Sequence, residues 1–203
     1  MALARTYEPA RRAVVTTLQD AYRDRLSRPS DIREYLPFLH QEAGRAECGR
    51  VIEFGTRKGN STLAFLAAVE KRGGGHVWSV DVSDCPRDPE GMAPWARHPL
   101  WTFIRGDDMD PTVQSLLPAR CDVLFIDTSH EYDHTLAELR AYVPRVAPGG
   151  VVLMHDTHVM GWPGYEWDRD VSPVWAALDD YCGETGLEWQ DMPGRYGLGI
   201  LRP

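Results

Sequence analysis

Acidic and histidine residues stand directly after two short apolar runs of the chain. Asp127 follows "DVLFI", His155 and Asp156 follow "VVLM", and His130 lies three residues beyond Asp127. Carboxylates are hard oxygen ligands that suit Mg²⁺, whereas a histidine near its ordinary pKa can act as a general base. Asp127 and Asp156 are therefore candidate metal ligands, and Asp127, His130 and His155 are candidate catalytic groups.

A glycine turn follows an earlier apolar run, in "VIEFGTRKGNST" at residues 51–62. Gly55 and Gly59 let the backbone bend sharply beside a ligand, and the helix that follows offers its N-terminal N–H groups. Neither GxGxxG nor GxxxxGK[ST] is present, because Arg57 and Lys58 stand where the middle glycine of the first motif is needed. This spacing argues against a pyrophosphate cradle, while Asp81 at the end of the next run can accept hydrogen bonds from a ribose diol.

Short β-type runs alternate with helical stretches after residue 47, namely "RVIEF", "HVWSV", "WTFI", "DVLFI" and "VVLM". This alternation predicts a parallel sheet covered on both faces, with ligands at the carboxyl ends of its strands. "STLAFLAAVEKRGGG" predicts a helix, and "EYDHTLAELRAYVPRVAPGG" predicts a helix that ends at Pro148. "LEWQDMPGRYGLGILRP" predicts a hairpin that ends the sheet. Residues 31–43 predict a helix capped by Ser30 or Asp31 and kinked or divided at Pro37.

The composition is that of an ordinary folded protein. The 203 residues carry 30 acids and 22 bases, giving a net charge of -8 with no clustered basic face, so nucleic acid is disfavoured as a partner. The sequence shows neither a membrane span nor a signal peptide, and its four cysteines form no CxxC pair, which indicates reduced thiols. We expect a cytoplasmic, single-domain protein over 1–203, with a helical segment at 1–47 and a ligand-binding core at 48–203.

The core segments resemble a known family, the class I S-adenosylmethionine-dependent methyltransferases. The resemblance lies in "VIEFGTRKGNSTLAFL", "WSVDVSD", "FIRGDDMD" and "CDVLFIDTSHEYDHTLAELRAYVPRVAPGGVVLMHD", and covers roughly residues 50 to 160. The last segment is especially similar to the branch of small-molecule and sugar O-methyltransferases and cephalosporin-hydroxylase-like proteins. The chain departs from that branch at Thr128, where a glycine usually follows "FID". The resemblance implies a Rossmann-like, doubly wound, seven-stranded mixed sheet with an N-terminal helical extension.

The resemblance also implies roles for the residues at the strand ends. Gly55 and Gly59 would shape the turn beside the methionine part of the cofactor, and Glu53 would orient that turn or the cofactor's amino group. Asp81 would hold the ribose hydroxyls, and Asp107 or its neighbour Asp108 would face the adenine amine. The full cofactor set implied in this way is Glu53, Gly55, Thr56, Gly59, Ser61, Asp81, Asp107, Asp108 and Asp127.

Methyl transfer to a hydroxyl needs the acceptor's proton to be removed or masked. A histidine base, either His130 or His155, would remove the proton, and His134 lies one helical turn beyond His130. Alternatively, Mg²⁺ bound by Asp127 and Asp156 would lower the pKa of the hydroxyl, with His155 or water completing the coordination shell. It is equally open that the two acids only bind loop N–H groups. Structural roles are expected for His40, His76 and His98, whereas His158 is expected to be exposed to solvent in a loop, with a contact to the substrate as the alternative.

The resulting prediction is an S-adenosylmethionine-dependent methyltransferase that acts on a hydroxyl of a small molecule or glycosyl group. Two alternatives are a nicotinamide-dependent oxidoreductase, which the missing GxGxxG argues against, and a non-catalytic cofactor-binding scaffold. The aromatic segment 157–173, with Trp162, Tyr165 and Trp167, is either a lid or aromatic wall for the acceptor, or else an apolar cover for the core or a dimer contact. The sequence leaves a homo-oligomer open.

Overall fold

A seven-stranded sheet forms the centre of the protein. The computed structural model describes residues 17–84, 87–88, 91–92, 94–160 and 166–203. The strands of the sheet are β1 (Arg50–Phe54), β2 (His76–Asp81), β5 (Trp101–Arg105), β6 (Cys121–Ile126), β7 (Val146–His155), β8 (Trp189–Met192) and β9 (Leu198–Leu201), and a separate ribbon pairs β3 (Arg87–Asp88) with β4 (Gly91–Met92). The order is β5-β2-β1-β6-β7-β9-β8, parallel from β5 to β7 and antiparallel at β9 and β8. The predicted mixed sheet with a C-terminal hairpin is confirmed.

Helices cover both faces of this sheet. They are α1 (Leu18–Ser27), α2 (Leu36–Arg45), α3 (Asn60–Arg72), α4 (Pro111–Leu116), α5 (Tyr132–Tyr142) and α6 (Pro173–Thr185). Val51 and its neighbour Ile52 belong to different apolar clusters because successive strand side chains point to opposite faces. The first cluster packs with α1, α2 and α3, and the second packs with α4, α5 and α6. Burial on both faces explains why the parallel strands read as continuous apolar runs.

The carboxyl ends of the parallel strands meet along one edge of the sheet. The ladder continues one residue past the strands, since Gly55 N–H donates to the Val80 carbonyl at 2.9 Å and Asp127 N–H donates to the Phe54 carbonyl at 2.9 Å. Asp81 ends β2 beside this pair, and Asp156 follows β7. The edge therefore gathers the residues that the sequence analysis selected.

Two helix boundaries differ from the prediction, and proline explains both. α5 ends at Tyr142 rather than Pro148, because Pro144 lacks an N–H and disfavours helical backbone before it. A short 3₁₀ turn, Val143–Arg145, then leads directly into β7. In the first part of the chain, α2 begins only at Leu36, with Pro37 in its first turn, so Pro37 starts a helix instead of kinking one.

The helices before β1 are joined to the hairpin at the end of the chain. The buried Tyr35 hydroxyl accepts a hydrogen bond from Gly197 N–H at 2.9 Å, and Glu34 accepts one from Arg195 N–H at 2.9 Å. Farther along, the Arg202 guanidinium lies 3.1 Å from the Glu42 carboxylate. Within the part of the chain that the structure describes, no helix has the length and apolar character needed to cross a bilayer.

Candidate active site

The glycine turn after β1 is packed against the end of β6. Gly55 has φ +82°, and a Cβ built on it would lie 1.9 Å from the Asp127 carbonyl oxygen. Gly59 is also left-handed, with φ 69°, and stands at the N-cap of α3. Glycine is therefore required at position 55 both by the backbone conformation and by the contact with β6. The turn brings Thr56 and Ser61 to the same side as Asp127, where all three line one cavity.

Glu53 lies beneath this turn with no exposed surface. Its carboxylate accepts hydrogen bonds from Ser61 Oγ at 2.6 Å, Thr62 Oγ1 at 2.7 Å and Ser79 Oγ at 2.5 Å. Burial raises the pKa of Glu53 to about 7 in spite of these hydroxyl donors. Of the two roles expected for Glu53, this placement favours holding the first turn of α3 over touching the cofactor.

Asp81 holds the outer side of the turn. Its Oδ2 accepts hydrogen bonds from Thr56 N–H at 2.8 Å, Thr56 Oγ1 at 2.9 Å and Arg57 N–H at 2.9 Å, while Oδ1 accepts from Ser83 N–H at 2.8 Å. Burial works against the charge, but these donors outweigh it and lower the pKa of Asp81. Asp81 is thus an ionised group that fixes the cofactor turn from the next strand.

The two acids after β5 point in different directions. Asp107 is exposed and its Oδ1 caps Met109 N–H at 2.8 Å. Asp108 is only 6% exposed, and its Oδ1 lies 3.3 Å from His134 Nε2 on α5. Because Asp108 faces α5, Asp107 is the better placed of the two to meet a ligand at the strand edge.

Two carboxylates and two imidazoles converge where β6 and β7 end. His130 Nε2 lies 3.0 Å from Asp127 Oδ1 and 3.1 Å from Asp156 Oδ2. His155 Nδ1 lies 3.4 Å from Asp127 Oδ1 and 3.3 Å from Asp156 Oδ1, although neither ring nitrogen of His155 has a well-directed hydrogen bond. His130 is part-exposed while His155 is 1% exposed, so His130 alone of the two imidazoles can reach an entering acceptor.

The backbone at this cluster is strained. His130 has φ 58° and Asp156 has φ 64°, both in the left-handed region that non-glycine residues rarely adopt. Arg57 in the glycine turn has φ 47° and completes the set of such residues in the described part of the chain. Strained backbone of this kind is held in place by its surroundings and gathers at functional sites.

The charges of the cluster depend on one another. Burial disfavours the ionised form of Asp127, but His130 and His155 outweigh burial and hold the pKa of this carboxyl well below its usual range. Burial likewise opposes charge on His155, yet Asp127 and Asp156 raise its pKa to about 10. In the absence of a cation, a protonated His155 therefore balances part of the charge of the two acids.

A divalent cation also fits this cluster. Asp127, His130 and Asp156 each offer one ligand atom, and these atoms lie within 4.8 Å of one another. The distances of 3.0 and 3.1 Å from His130 Nε2 to the carboxylates are close to the roughly 2.9 Å between adjacent ligands of an octahedral Mg²⁺. The histidine that could serve as a third ligand beside the two acids is therefore His130, whereas the sequence analysis had expected His155.

A cavity of about 230 Å³ opens beside the cluster, between the α1–α2 connection and the glycine turn. Arg25, Arg28, Arg57 and Lys58 line it together with Asp31 and Asp127. Arg57 pairs with Asp31, and Lys58 is exposed at the rim. The cations of the turn thus face the cavity, in a chain that is acidic as a whole.

Sequence reasoning missed a polar chain behind the site. Thr128 Oγ1 donates to Glu138, 3.0 Å from Oε1 and 3.1 Å from Oε2, and His134 Nε2 lies 3.6 Å from Glu138 Oε1. Thr128, noted only as a departure from the family pattern, thus links the end of β6 to α5. The four-residue spacing of His134 and Glu138 was the available signal, because it places both side chains on one helical face.

The remaining expected residues have structural surroundings or lie outside the described residues. His158 bonds Asp191 at 3.0 Å, His76 bonds Thr102 at 2.8 Å, and His98 lies 3.4 Å from Glu70. His40 stacks on Tyr22. Trp162, Tyr165 and residues 1–16 of the predicted helical segment 1–47 lie outside the described residues. Trp167 donates to the Val171 carbonyl at 2.6 Å.

The strand order and the position of the glycine turn define the Rossmann-like fold of the S-adenosylmethionine-dependent methyltransferases. The sequence profile of the family described as a methyltransferase domain matches residues 52–157, which contain all the strand-end residues described above, and the chain belongs to this family. The predicted family is thereby confirmed.

Individual relatives match only part of this chain and only part of their own length. The rhamnosyl O-methyltransferase of Mycobacterium tuberculosis is 28% identical over 121 residues, which are 56% of this chain and 47% of the relative. The demethylmacrocin O-methyltransferase of Streptomyces fradiae is 35% identical over 99 residues, 47% of this chain and 23% of the relative. The chain therefore spans about half or less of the length of these curated relatives.

Among solved structures, the MycE methyltransferase from the mycinamycin biosynthetic pathway has a similar fold. That structure is a complex with Mg, SAH and mycinamycin VI; it is 17% identical and superposes with a TM-score of 0.61, over 95% of this chain and 55% of that one. At this identity the likeness supports the fold.

Proposed function

We propose that the chain is an S-adenosylmethionine-dependent O-methyltransferase that acts on a hydroxyl of a small molecule or glycosyl group. The observation that carries the proposal is the convergence of His130 and Asp156 on Asp127, which itself lines a cavity bounded by the glycine turn. The family membership and the O-methyltransferase relatives support it.

The cofactor would lie along the carboxyl edge of the sheet. The absent side chain at Gly55 leaves the turn close to Asp127, and Thr56, Ser61 and Asp127 face the cavity that would take the methionine end. Asp81 would accept hydrogen bonds from the ribose hydroxyls, and Asp107 would face the adenine amine. Bound there, the cofactor supplies an electrophilic methyl group on a sulfonium, and the chain's task is to orient the acceptor and manage its proton.

Asp127 and Asp156 would hold Mg²⁺, which when bound lowers the pKa of a coordinated hydroxyl. His130 touches both carboxylates and is accessible, so it would orient them or take the acceptor's proton. His155 is buried behind the acids, and we assign it a positioning role in place of the catalytic one expected. Its ring would keep the two carboxylates apart and ionised.

Binding and turnover measurements test this proposal in two stages. Calorimetry should show micromolar binding of S-adenosylhomocysteine and none of NADH; the reverse result would establish the oxidoreductase alternative, and binding of neither would favour a scaffold. In an acceptor screen, Asp127→Ala and His130→Gln should lower kcat by about 10²–10⁴-fold, whereas His76→Gln, remote from the cluster, should leave it unchanged. Turnover that EDTA does not alter would remove the metal from the mechanism.

The extent of the domain over 1–203, a cytoplasmic location and the lack of a nucleic-acid partner stay predictions from the sequence. Size-exclusion chromatography with light scattering would determine whether the chain forms a homo-oligomer.

A further inference from the structure

A second group of metal-ligating side chains lies away from the candidate active site. It consists of Asp108, His134 and Glu138, named here the α5 cluster. His134 and Glu138 stand one turn apart on α5, and Asp108 approaches from the segment after β5. This spacing places an imidazole and a carboxylate on one helical face, with a third ligand arriving from another element.

The ligand atoms of the α5 cluster are close together and largely excluded from water. His134 Nε2 lies 3.3 Å from Asp108 Oδ1 and 3.6 Å from Glu138 Oε1. Glu138 has no exposed surface, and Asp108 is 6% exposed. Asp108 Oδ1 receives no well-directed hydrogen bond, although it is buried and points into the cluster. Among the described residues, this buried carboxylate oxygen has no partner apart from the His134 ring, and it can accept a further ligand such as a cation.

We propose that the α5 cluster is a metal site that takes a tetrahedral divalent ion of the Zn²⁺ type. At zinc–ligand distances of roughly 2.0–2.2 Å, adjacent ligands of a tetrahedral ion are about 3.3–3.6 Å apart. The two separations in the α5 cluster, 3.3 and 3.6 Å, match this spacing. The contacts of 3.0 and 3.1 Å at His130 are shorter and closer to octahedral geometry.

The charge and surroundings of the α5 cluster support the same ion. The cluster offers two carboxylates and one imidazole in a buried setting, and imidazole as a ligand favours Zn²⁺ over Mg²⁺. Thr128 Oγ1 donates to both oxygens of Glu138 and so fixes the orientation of this ligand. His134 is half-buried, so one side of the cluster is in contact with solvent, from which water would supply the fourth ligand.

The ion would fasten the segment after β5 to α5. Asp107, adjacent to the ligand Asp108, lies on the face where the adenine is proposed to bind. The site itself does not depend on the proposed function, since its ligands are separate from Asp127, His130 and Asp156.

The test uses chelator-treated protein carrying Asp156→Asn, which weakens the candidate active-site cluster as a competing metal site. Titration with Co²⁺ should give one ion per chain with the intense visible bands of tetrahedral cobalt, and Zn²⁺ should displace it. Saturating Zn²⁺ should raise Tm by about 5 °C or more. No saturable binding, or the weak spectrum of octahedral cobalt, would overturn the proposal.

Variants of the ligand residues then test whether the ion binds at the α5 cluster. His134→Gln and Glu138→Gln, made in the same background, should each weaken Co²⁺ binding by at least about 100-fold, since even outer-shell losses cost about 10–100-fold. His98→Gln is the matched control, because His98 also lies near a carboxylate, Glu70, at 3.4 Å but belongs to neither group of potential ligands among the described residues. Circular dichroism confirms folding, and His134→Gln on the part-exposed side suffices if Glu138→Gln does not fold. Unchanged affinity in His134→Gln would refute the assignment.

Discussion

Glu53 gives the stability of the protein a specific dependence on pH. Burial raises its pKa from 4.5 to about 7, so the folded chain binds this proton more tightly than the unfolded chain. The stabilisation is fully present below pH 4.5 and is lost as pH rises through about 7, an effect of about 3 kcal/mol. Glu53→Gln, which stays neutral, should flatten this part of the curve.

Urea unfolding of the unsubstituted protein and of Glu53→Gln, each at pH 5 and pH 8, isolates the contribution of Glu53. This contribution is the difference between the two proteins in how much their free energy of unfolding changes with pH. Other groups, including the buried Glu138 with its pKa also raised to about 7 by burial, are common to both proteins and cancel. Equal changes in the free energy of unfolding between the two pH values would show that Glu53 is not the group concerned.

Asp81 should determine cofactor affinity rather than turnover. Asp81→Asn removes the charge that holds the Thr56 and Arg57 N–H groups, and it replaces one of the two carboxylate acceptors proposed for the ribose with an amide donor. We expect the Kd for S-adenosylhomocysteine to rise by about 10–100-fold, in line with the loss of charge-assisted hydrogen bonds. The control is Asp84→Asn, an exposed acid that pairs with Arg105 at 2.8 Å. Calorimetry giving equal affinities for both variants would exclude this role.

Some individual residues could be assigned from the sequence and others could not. Asp81, Asp127 and Asp156 could be placed together because the ends of parallel strands share one edge. The contrast between His130 and His155 depends on a left-handed backbone at residue 130 and on burial at residue 155, which no local pattern reveals. The hydrogen bond from Thr128 to Glu138 joins two residues that are ten positions apart, and it becomes evident only once α5 is folded against the end of β6.

At the scale of elements, the β1–α3 turn should tolerate substitution of its glycine far less well than the turn at the other end of α3. Gly55 and Gly73 have nearly equal φ values, +82° and +84°, but only Gly55 has the Asp127 backbone against it; Gly73 has nothing within 4 Å of an added Cβ. Gly73→Ala should cost about 1 kcal/mol for backbone strain alone. Gly55→Ala should cost at least about 3 kcal/mol and also weaken S-adenosylhomocysteine binding.

Denaturant unfolding of the two glycine variants separates the contact from the strain. If both lost the same free energy of unfolding, the close approach of β1 and β6 would not matter. A Gly55→Ala protein with normal stability and normal binding would contradict the proposed path of the cofactor turn.

The elements themselves were predicted well where burial decides the pattern. β1, β6 and the second half of β7 are buried on both faces and appear as apolar runs in the sequence. β2 and the edge strand β5 are only partly buried, but their apolar residues were still sufficient to predict them. The end of α5 was misplaced because "VPRVAPGG" contains two prolines, and the first already stops the helix. The second lies inside the long β7, beside a register shift opposite β6.

At the scale of the whole molecule, Tyr35 couples the first helices to the last hairpin. Tyr35→Phe should leave Gly197 N–H buried without its acceptor, at a cost of about 1–3 kcal/mol. Tyr132→Phe is a control that removes a hydroxyl from the half-buried α5 surface, where it bonds Asp180 at 2.6 Å. Thermal unfolding should show one transition shifted down by more in Tyr35→Phe; a second, separate transition would mean that the helices and the hairpin unfold independently.

The same junction has a consequence for how the chain is made. Glu34 and Tyr35 are synthesised long before their hydrogen-bond donors, Arg195 and Gly197, which lie 161 and 162 residues further along the chain. β9 must also insert between β7 and β8 before the sheet is complete. Because these contacts are so distant along the chain, we expect the N-terminal helices to pack first on α3 and to gain their hydrogen bonds to the hairpin only in a late step of folding.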